Sequence, residues 1–234
     1  STTGRHSIEA IRIVVGGVLT DDVTLRITEV FYSLQGESNT VGLPTVFVRL
    51  TGCPLRCNYC DTEYAFTGGE SRKLADIIDQ VQSFGAQYVT VTGGEPLAQP
   101  GCLPLMTRLC DLGLVVSLET SGALSIADVD ARVSRVMDLK TPSSTECDRN
   151  KWSNVPLLTS HDQVKFVIAD QLDYAWAKDT VRRYDLLAKT QVLFSPSHGV
   201  LAPRDLAEWV LADRLPVRMQ VQLHKVIWGE EPGR

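Results

Sequence analysis

The 234-residue chain predicts an α/β fold in which short strands alternate with helices around a parallel sheet. Two observations carry that class. Short apolar runs recur along the chain, most of them continuously apolar, as a strand covered on both faces must be. Between them lie segments whose apolar residues fall at helical spacing. A hydrophobic content of 44% with 22% charged residues is ordinary for a chain that buries one sizeable core.

Taken in order, the strands are expected at Arg26–Phe31, Thr45–Leu50, Tyr88–Val91, Val115–Glu119, Arg135–Leu139, Gln163–Ile168 and Gln191–Phe194. Helices are expected at Leu74–Phe84, Pro104–Leu112, Ile126–Val133, Leu172–Tyr184 and Arg204–Ala212, several opened by Ser, Asp or Pro and closed by Gly. The run from Gln222 to Trp228 alternates and reads as a C-terminal apolar strand. Residues 1–22 carry no clear pattern and are expected to be an N-terminal extension, with one catalytic domain over 23–234.

Three of the six cysteines, Cys53, Cys57 and Cys60, stand in the stretch Gly52-Cys-Pro-Leu-Arg-Cys-Asn-Tyr-Cys-Asp-Thr62. Structural zinc wants four closed ligands in separated pairs, and no second pair is present. A disulfide framework is out of keeping with so sparse a set of cysteines and with a start that lacks a signal-peptide pattern. Cys102, Cys110 and Cys147 read as inert thiols. Three thiolates on one loop suit an iron-sulfur cubane, holding three irons and leaving the fourth open.

A net charge of −5 with scattered basic residues argues against a nucleic-acid surface. No apolar run approaches the roughly twenty residues that span a bilayer. Free thiols and the lack of a targeting pattern point to a reducing cytoplasm.

The cysteine loop, with Tyr59 just before the third thiol, resembles that of the radical S-adenosylmethionine (SAM) superfamily. Val91-Thr-Gly-Gly-Glu-Pro96 is similar to the superfamily's second motif, in which glycines let the backbone approach SAM and Glu95 offers a charge to its ammonium. The resemblance implies a partial (β/α) barrel, open on one side, with the cluster at the C-terminal ends of the strands.

A closer resemblance, to the 7-carboxy-7-deazaguanine synthase family, covers about residues 25–234. It rests on Glu29-Val-Phe-Tyr-Ser-Leu-Gln-Gly-Glu37, Gly42-Leu-Pro-Thr-Val-Phe-Val-Arg49, the cysteine loop, Leu118-Glu-Thr-Ser-Gly122, Met137-Asp-Leu-Lys-Thr-Pro-Ser143 and Gln222-Leu-His-Lys-Val-Ile-Trp228. The implied reaction is ring contraction of 6-carboxy-5,6,7,8-tetrahydropterin to 7-carboxy-7-deazaguanine with loss of ammonia, in 7-deazapurine biosynthesis of the queuosine type. The implied cofactors are a [4Fe–4S] cluster, SAM and Mg²⁺; the implied partners are a flavodoxin- or ferredoxin-type reductant and a second copy in a homodimer.

By the same resemblance, Cys53, Cys57 and Cys60 ligate the cluster, and Thr62 offers a hydroxyl to magnesium. Tyr59, Cys60 and Asp61 flank SAM, Gly94 gives its carbonyl and Glu95 its charge to the amino group, and Asp138, Leu139 and Lys140 line the same cofactor. Relatives carry Ser-Pro-Lys where this chain has Asp-Leu-Lys, and Ser195-Pro196-Ser197-His198 replaces a Gln-Pro-containing segment. For the pterin, Leu34, Gln35 and Gly36 face the guanidine-like edge, Arg49 meets the carboxylate as a two-pronged donor, and Glu37, Thr92 and Arg234 are further contacts.

Two other functions suit parts of the same pattern. A glycyl-radical-enzyme activase shares the cysteine spacing but acts on a protein, which the Leu34-Gln-Gly-Glu37 segment and Arg49 do not favour. A non-catalytic electron-transfer module gives every iron a protein ligand.

Overall fold

The computed structural model describes residues 14–15, 18–19, 23–229, 231 and 233. The strands are β1 (Val14–Val15), β2 (Val18–Leu19), β3 (Thr24–Leu34), β4 (Pro44–Leu50), β5 (Glu70–Lys73), β6 (Tyr88–Gly93), β7 (Val115–Thr120), β8 (Ser134–Asp138), β9 (Gln163–Ile168), β10 (Gln191–Pro196) and β11 (Arg218–Met219). The helices are α1 (Leu74–Ser83), α2 (Cys102–Asp111), α3 (Gln171–Arg183), α4 (Pro203–Ala212) and α5 (Leu223–Trp228). The expected extension over residues 1–22 falls mostly outside the described residues, which there show the antiparallel pair β1–β2.

One sheet of nine strands runs in the order β11-β10-β9-β8-β7-β6-β4-β3-β5. From β4 to β11 neighbours pair in parallel, while β3 runs antiparallel to both β4 and β5. The order does not close on itself, so the architecture is a partial (β/α) barrel, open on one side. The antiparallel edge departs from the parallel reading, because β3 reaches β4 through a turn too short for a crossover helix, tied by Gln35 N to Leu43 O and Gly42 N to Gln35 O. The edge strand β5, Glu-Ser-Arg-Lys, gave no apolar signal to detect.

The central strands are apolar on the face that the helices cover, whereas the face toward the barrel interior carries polar residues such as Thr90, Thr92, Ser117, Glu119 and Lys165, so the continuous apolar reading holds for one face only. In α1, Leu74, Ile77, Ile78 and Val81 are buried, the i, i+3, i+4, i+7 stripe of a packed helix. Each such side chain contributes about 1.5–3 kcal/mol by leaving water. The start of α3 is fixed by Asp170, whose carboxylate accepts from Asp173 N at 2.8 Å.

Two expected elements take another form. Ile126–Val133 is a pair of turns, since Ser125 Oγ accepts from Ala127 N and Asp130 Oδ1 from Arg132 N, local bonds that compete with a helix. The C-terminal run is the helix α5 and not a strand: Gln222 O accepts from Lys225 N and Val226 N, while Leu223 N turns aside to Gly36 O. Over so few residues alternation and helical spacing are hard to tell apart. Among the described residues, no helix is long and apolar enough to cross a membrane.

Candidate active site

The C-terminal ends of the parallel strands open on a cleft of about 680 Å³. The end of β4 feeds the loop of Cys53, Cys57 and Cys60, β6 ends at the Gly93-Gly94 turn, β8 ends at Asp138 and β10 at Pro196, and all of these line the cleft. Parallel strands send their following loops to one end, which is why motifs far apart in sequence meet here.

The three thiols are free and half-buried. Burial raises the Cys57 thiol to about 11, with Lys140 acting against it and Asp138 with it; the Cys53 and Cys60 thiols are raised by burial too. Such thiols become thiolates when a metal supplies the missing positive charge. Among the described residues no His, Cys, Asp and Glu side chains gather closely enough to hold a single metal ion. A cubane does not ask for that, because each thiolate takes a different iron. A Cβ added to Gly94 would stand 2.4 Å from Gly52 O and 2.7 Å from Cys53 Cβ, so the absence of a side chain lets the second motif press against the cysteine loop.

Beside the thiols, two buried polar atoms have no hydrogen-bond partner among the described residues: Asp138 Oδ1 and Ser195 Oγ. Buried polar atoms are almost always satisfied, so a pair of orphans on the wall of one cleft marks a place for a ligand with hydroxyl or ammonium groups. The other Asp138 oxygen takes the Lys140 ammonium at 3.0 Å. Tyr59 lies close by, its hydroxyl 3.4 Å from Thr141 Oγ1 and raised to about 12 by burial and the Asp138 charge. Asp61 is raised by burial but held well below the carboxylate range by the Lys225 ammonium and by hydrogen bonds from Gln222 and Thr62.

Two of the expected contact residues keep their side chains out of the cleft. The Glu95 side chain is fully buried behind the cleft wall and accepts from Thr120 Oγ1, Ser121 N, Ser121 Oγ and Leu97 N, which fastens the turn, while its charge still acts on the Cys53 thiol. The Leu139 side chain packs in the core, leaving the cleft to Asp138 and Lys140 on either side. Arg234 lies outside the described residues.

On the β3–β4 side the cleft is flat and aromatic. Phe31 and Phe47 stack with ring centroids 4.9 Å apart, and the Arg49 guanidinium lies 5.8 Å from Phe31 and 5.7 Å from Tyr64. Arg49 Nε donates to Glu29 at 2.7 Å, and its two terminal nitrogens have no partner among the described residues. Gln35 Nε2 donates to Thr90 and reaches Glu119 at 3.4 Å, while its Oε1 accepts from Glu37 N. A side chain at Gly36 would collide with His224, whose Nδ1 would lie 2.0 Å from the new Cβ. Leu34, Thr62, Thr92, Ser197 and His198 also line the cleft.

Sequence reasoning missed Glu119, Lys165 and Gln222. Glu119 accepts from Thr92 at 3.0 Å and is raised by burial and by the Glu37 charge, against Lys165 and Thr92. Gln222 bridges Glu37 at 3.0 Å and Asp61 at 3.1 Å. Lys165 was signalled by its place as a lone charge in the apolar strand Gln163–Ile168.

The radical SAM superfamily model matches residues 47–185. A 7-carboxy-7-deazaguanine synthase of Chlorobaculum tepidum is 45% identical over 216 residues, covering 91% of this chain and 98% of that protein. Another, of Koribacter versatilis, is 43% identical over 222 residues, covering 88% and 98%. The chain belongs to the 7-carboxy-7-deazaguanine synthase family.

It is therefore a radical SAM enzyme, and the cluster and SAM are the cofactors its family implies. The crystal structure of QueE from Escherichia coli shares the fold at a TM-score of 0.69, with 21% identity over 88% of this chain and 96% of that one. The 7-carboxy-7-deazaguanine synthase family thus gives a context for the cleft: free half-buried thiols, a glycine turn pressed against their loop and two orphaned polar atoms fit a cubane with a bound nucleotide.

Proposed function

We propose that the protein converts 6-carboxy-5,6,7,8-tetrahydropterin to 7-carboxy-7-deazaguanine with release of ammonia. The observation that carries this reading is the union, in one cleft, of the three-thiol loop with an aromatic floor and a half-committed arginine. A flat heterocycle bearing a carboxylate suits such a floor, and an arginine fork suits the carboxylate.

Cys53, Cys57 and Cys60 would hold the cluster, and Asp138, Lys140 and the Ser195–His198 segment would hold SAM, with the Gly94 carbonyl toward its amino group. When bound, these cofactors supply the one-electron chemistry that removes a hydrogen from C6 of the pterin. The chain's own part is positioning. Arg49 turns its terminal nitrogens to the carboxylate, Gln35 and the backbone of Leu34 and Gly36 meet the guanidine-like edge, and Thr92 and Glu37 close that wall. Thr62, whose hydroxyl donates to Asp61 at 2.9 Å, offers a hard oxygen for magnesium near the substrate. Arg234 is a further substrate contact in this reading. The family resemblance also supports a homodimer, a flavodoxin- or ferredoxin-type reductant and a cytoplasmic setting.

Anaerobic incubation of cluster-loaded protein with SAM, magnesium, reductant and 6-carboxytetrahydropterin tests the reading by mass spectrometry of the product. Formation of 7-carboxy-7-deazaguanine is expected. SAM cleavage without a deazaguanine would refute the substrate while keeping the superfamily.

A further inference from the structure

Lys165 sits at the middle of the cleft wall, on β9, with Val167 facing the same way, whereas Val164, Phe166 and Ile168 point into the core. Its Nζ donates to Glu37 Oε2 at 2.7 Å and stands 3.8 Å from Asp138 Oδ2. Asp138 is its register partner on β8. Glu119 is a third carboxylate close enough to act on it, and together the acids outweigh the cost of burial and keep the lysine protonated.

The two acids in reach belong to different halves of the cleft. Glu37 follows Gly36 on the β3–β4 turn, beside the aromatic floor, and also takes the Gln222 amide. Asp138 ends β8 on the cofactor side, where Lys140 already supplies it with a cation and its Oδ1 has no partner among the described residues. Backbone pairing along β9 asks for no charge at this position, and the ammonium is needed only because Glu37 and the other buried acids stand beside it. A lysine that bridges two walls of a ligand cleft has a geometric use instead: it fixes the spacing of what each wall holds.

We propose that Lys165 is a positioning residue that sets Glu37 on the substrate wall and Asp138 on the cofactor wall at a fixed separation, keeping the pterin in register with the nucleotide. The inference rests on the substrate reading above. Lys165 acts through the two acids and need not touch the reacting atoms.

The test compares wild type, K165M, E37Q and the double variant E37Q/K165M, all cluster-loaded and anaerobic. Three quantities are read: pterin Kd by calorimetry, 5′-deoxyadenosine formed with dithionite alone, and deazaguanine made per 5′-deoxyadenosine in the presence of pterin. For K165M, pterin Kd should rise about tenfold, as loss of about 1.4 kcal/mol implies. The product ratio should fall at least fivefold, and substrate-free cleavage of SAM should fall less than that ratio does, because Lys140 still pairs with Asp138 at 3.0 Å. The double variant leaves no unpaired charge between these two residues, so it keeps the question answerable if K165M does not fold. Its Kd should lie within twofold of that of E37Q, because two residues that work through one contact are not additive. A K165M with wild-type Kd and product ratio overturns the inference, as does a double variant whose losses multiply, which would mean that Lys165 binds substrate independently. An equal loss of pterin affinity, substrate-free SAM cleavage and product ratio also overturns it, since that is damage to the fold. A wild type that makes no deazaguanine defeats the substrate reading and this inference with it; a wild type that does, beside an unaltered K165M, defeats this inference alone.

Discussion

At the N-terminal end of β8, Arg135 sends Nε and a terminal nitrogen to Asp162 at 2.8 and 2.7 Å, and the same carboxylate accepts from Arg135 N, Thr159 N and Thr159 Oγ1. At the C-terminal end, Asp138 meets two lysines with one oxygen and leaves the other without a partner among the described residues. Both acids are largely shielded from water and both have cations beside them. They differ in completeness. A saturated carboxylate holds strands together, and a carboxylate with a hydrogen-bonding site to spare, on the wall of a cleft, is placed to take a ligand.

That contrast can be broken from either end. Cys57→Ala, at the mouth, should remove the visible absorption of the cluster and all SAM cleavage while leaving the urea midpoint of the apoprotein unchanged. Loss of fold would blur the division. Asp162→Ala, at the opposite end, should cost about 3–5 kcal/mol by stranding the Arg135 charge, read from urea unfolding, yet leave the residual folded protein able to bind a cluster. The Asp162 carboxyl, raised by burial, is held below its ordinary value by the hydrogen bonds and charge of Arg135 and by Thr159 N. Its stabilising effect is therefore complete above the unfolded carboxylate pKa near 4 and is lost as pH falls through the folded value. Asp162→Asn should flatten that acid limb of the stability profile.

Smaller effects sharpen the same division. Arg49→Ala should raise the Michaelis constant for the pterin about ten- to a hundred-fold, the loss of about 1.5–3 kcal/mol for a charged hydrogen bond, with substrate-free SAM cleavage intact. An unchanged constant would remove Arg49 from the carboxylate. At the smallest end, Arg204 and Glu208 pair on the exposed face of α4 at 2.8 Å, far more open to water than either end of β8. Arg204→Ala should move stability by no more than about 0.5 kcal/mol and activity not at all.

Much of the mouth was legible from local spacing. The cysteines, the Gly-Gly turn and Arg49 each declare themselves within a few residues of chain, and the apolar runs placed the strands that gather them. What stayed hidden depended on partners distant in sequence. Glu95 reads as a free charge until Thr120, which ends the neighbouring strand β7, and Ser121 just after it are seen to enclose it. Lys165 reads as one charge in an apolar strand until the β3–β4 turn brings Glu37 to it. The reversed direction of β3 and the turns at Ile126–Val133 were concealed because hydrophobic period reports burial and says nothing of strand direction or of side chains that bond their own backbone.

The central claim is that the mouth of this barrel holds a cubane by three protein thiolates and leaves one iron for SAM. Mössbauer spectra of ⁵⁷Fe-loaded, oxygen-protected protein, taken with and without SAM, test it most directly. The account predicts a [4Fe–4S] signal in which one iron alone changes its parameters when SAM is added. A spectrum without a cubane, or one in which all four irons ignore SAM, would contradict it.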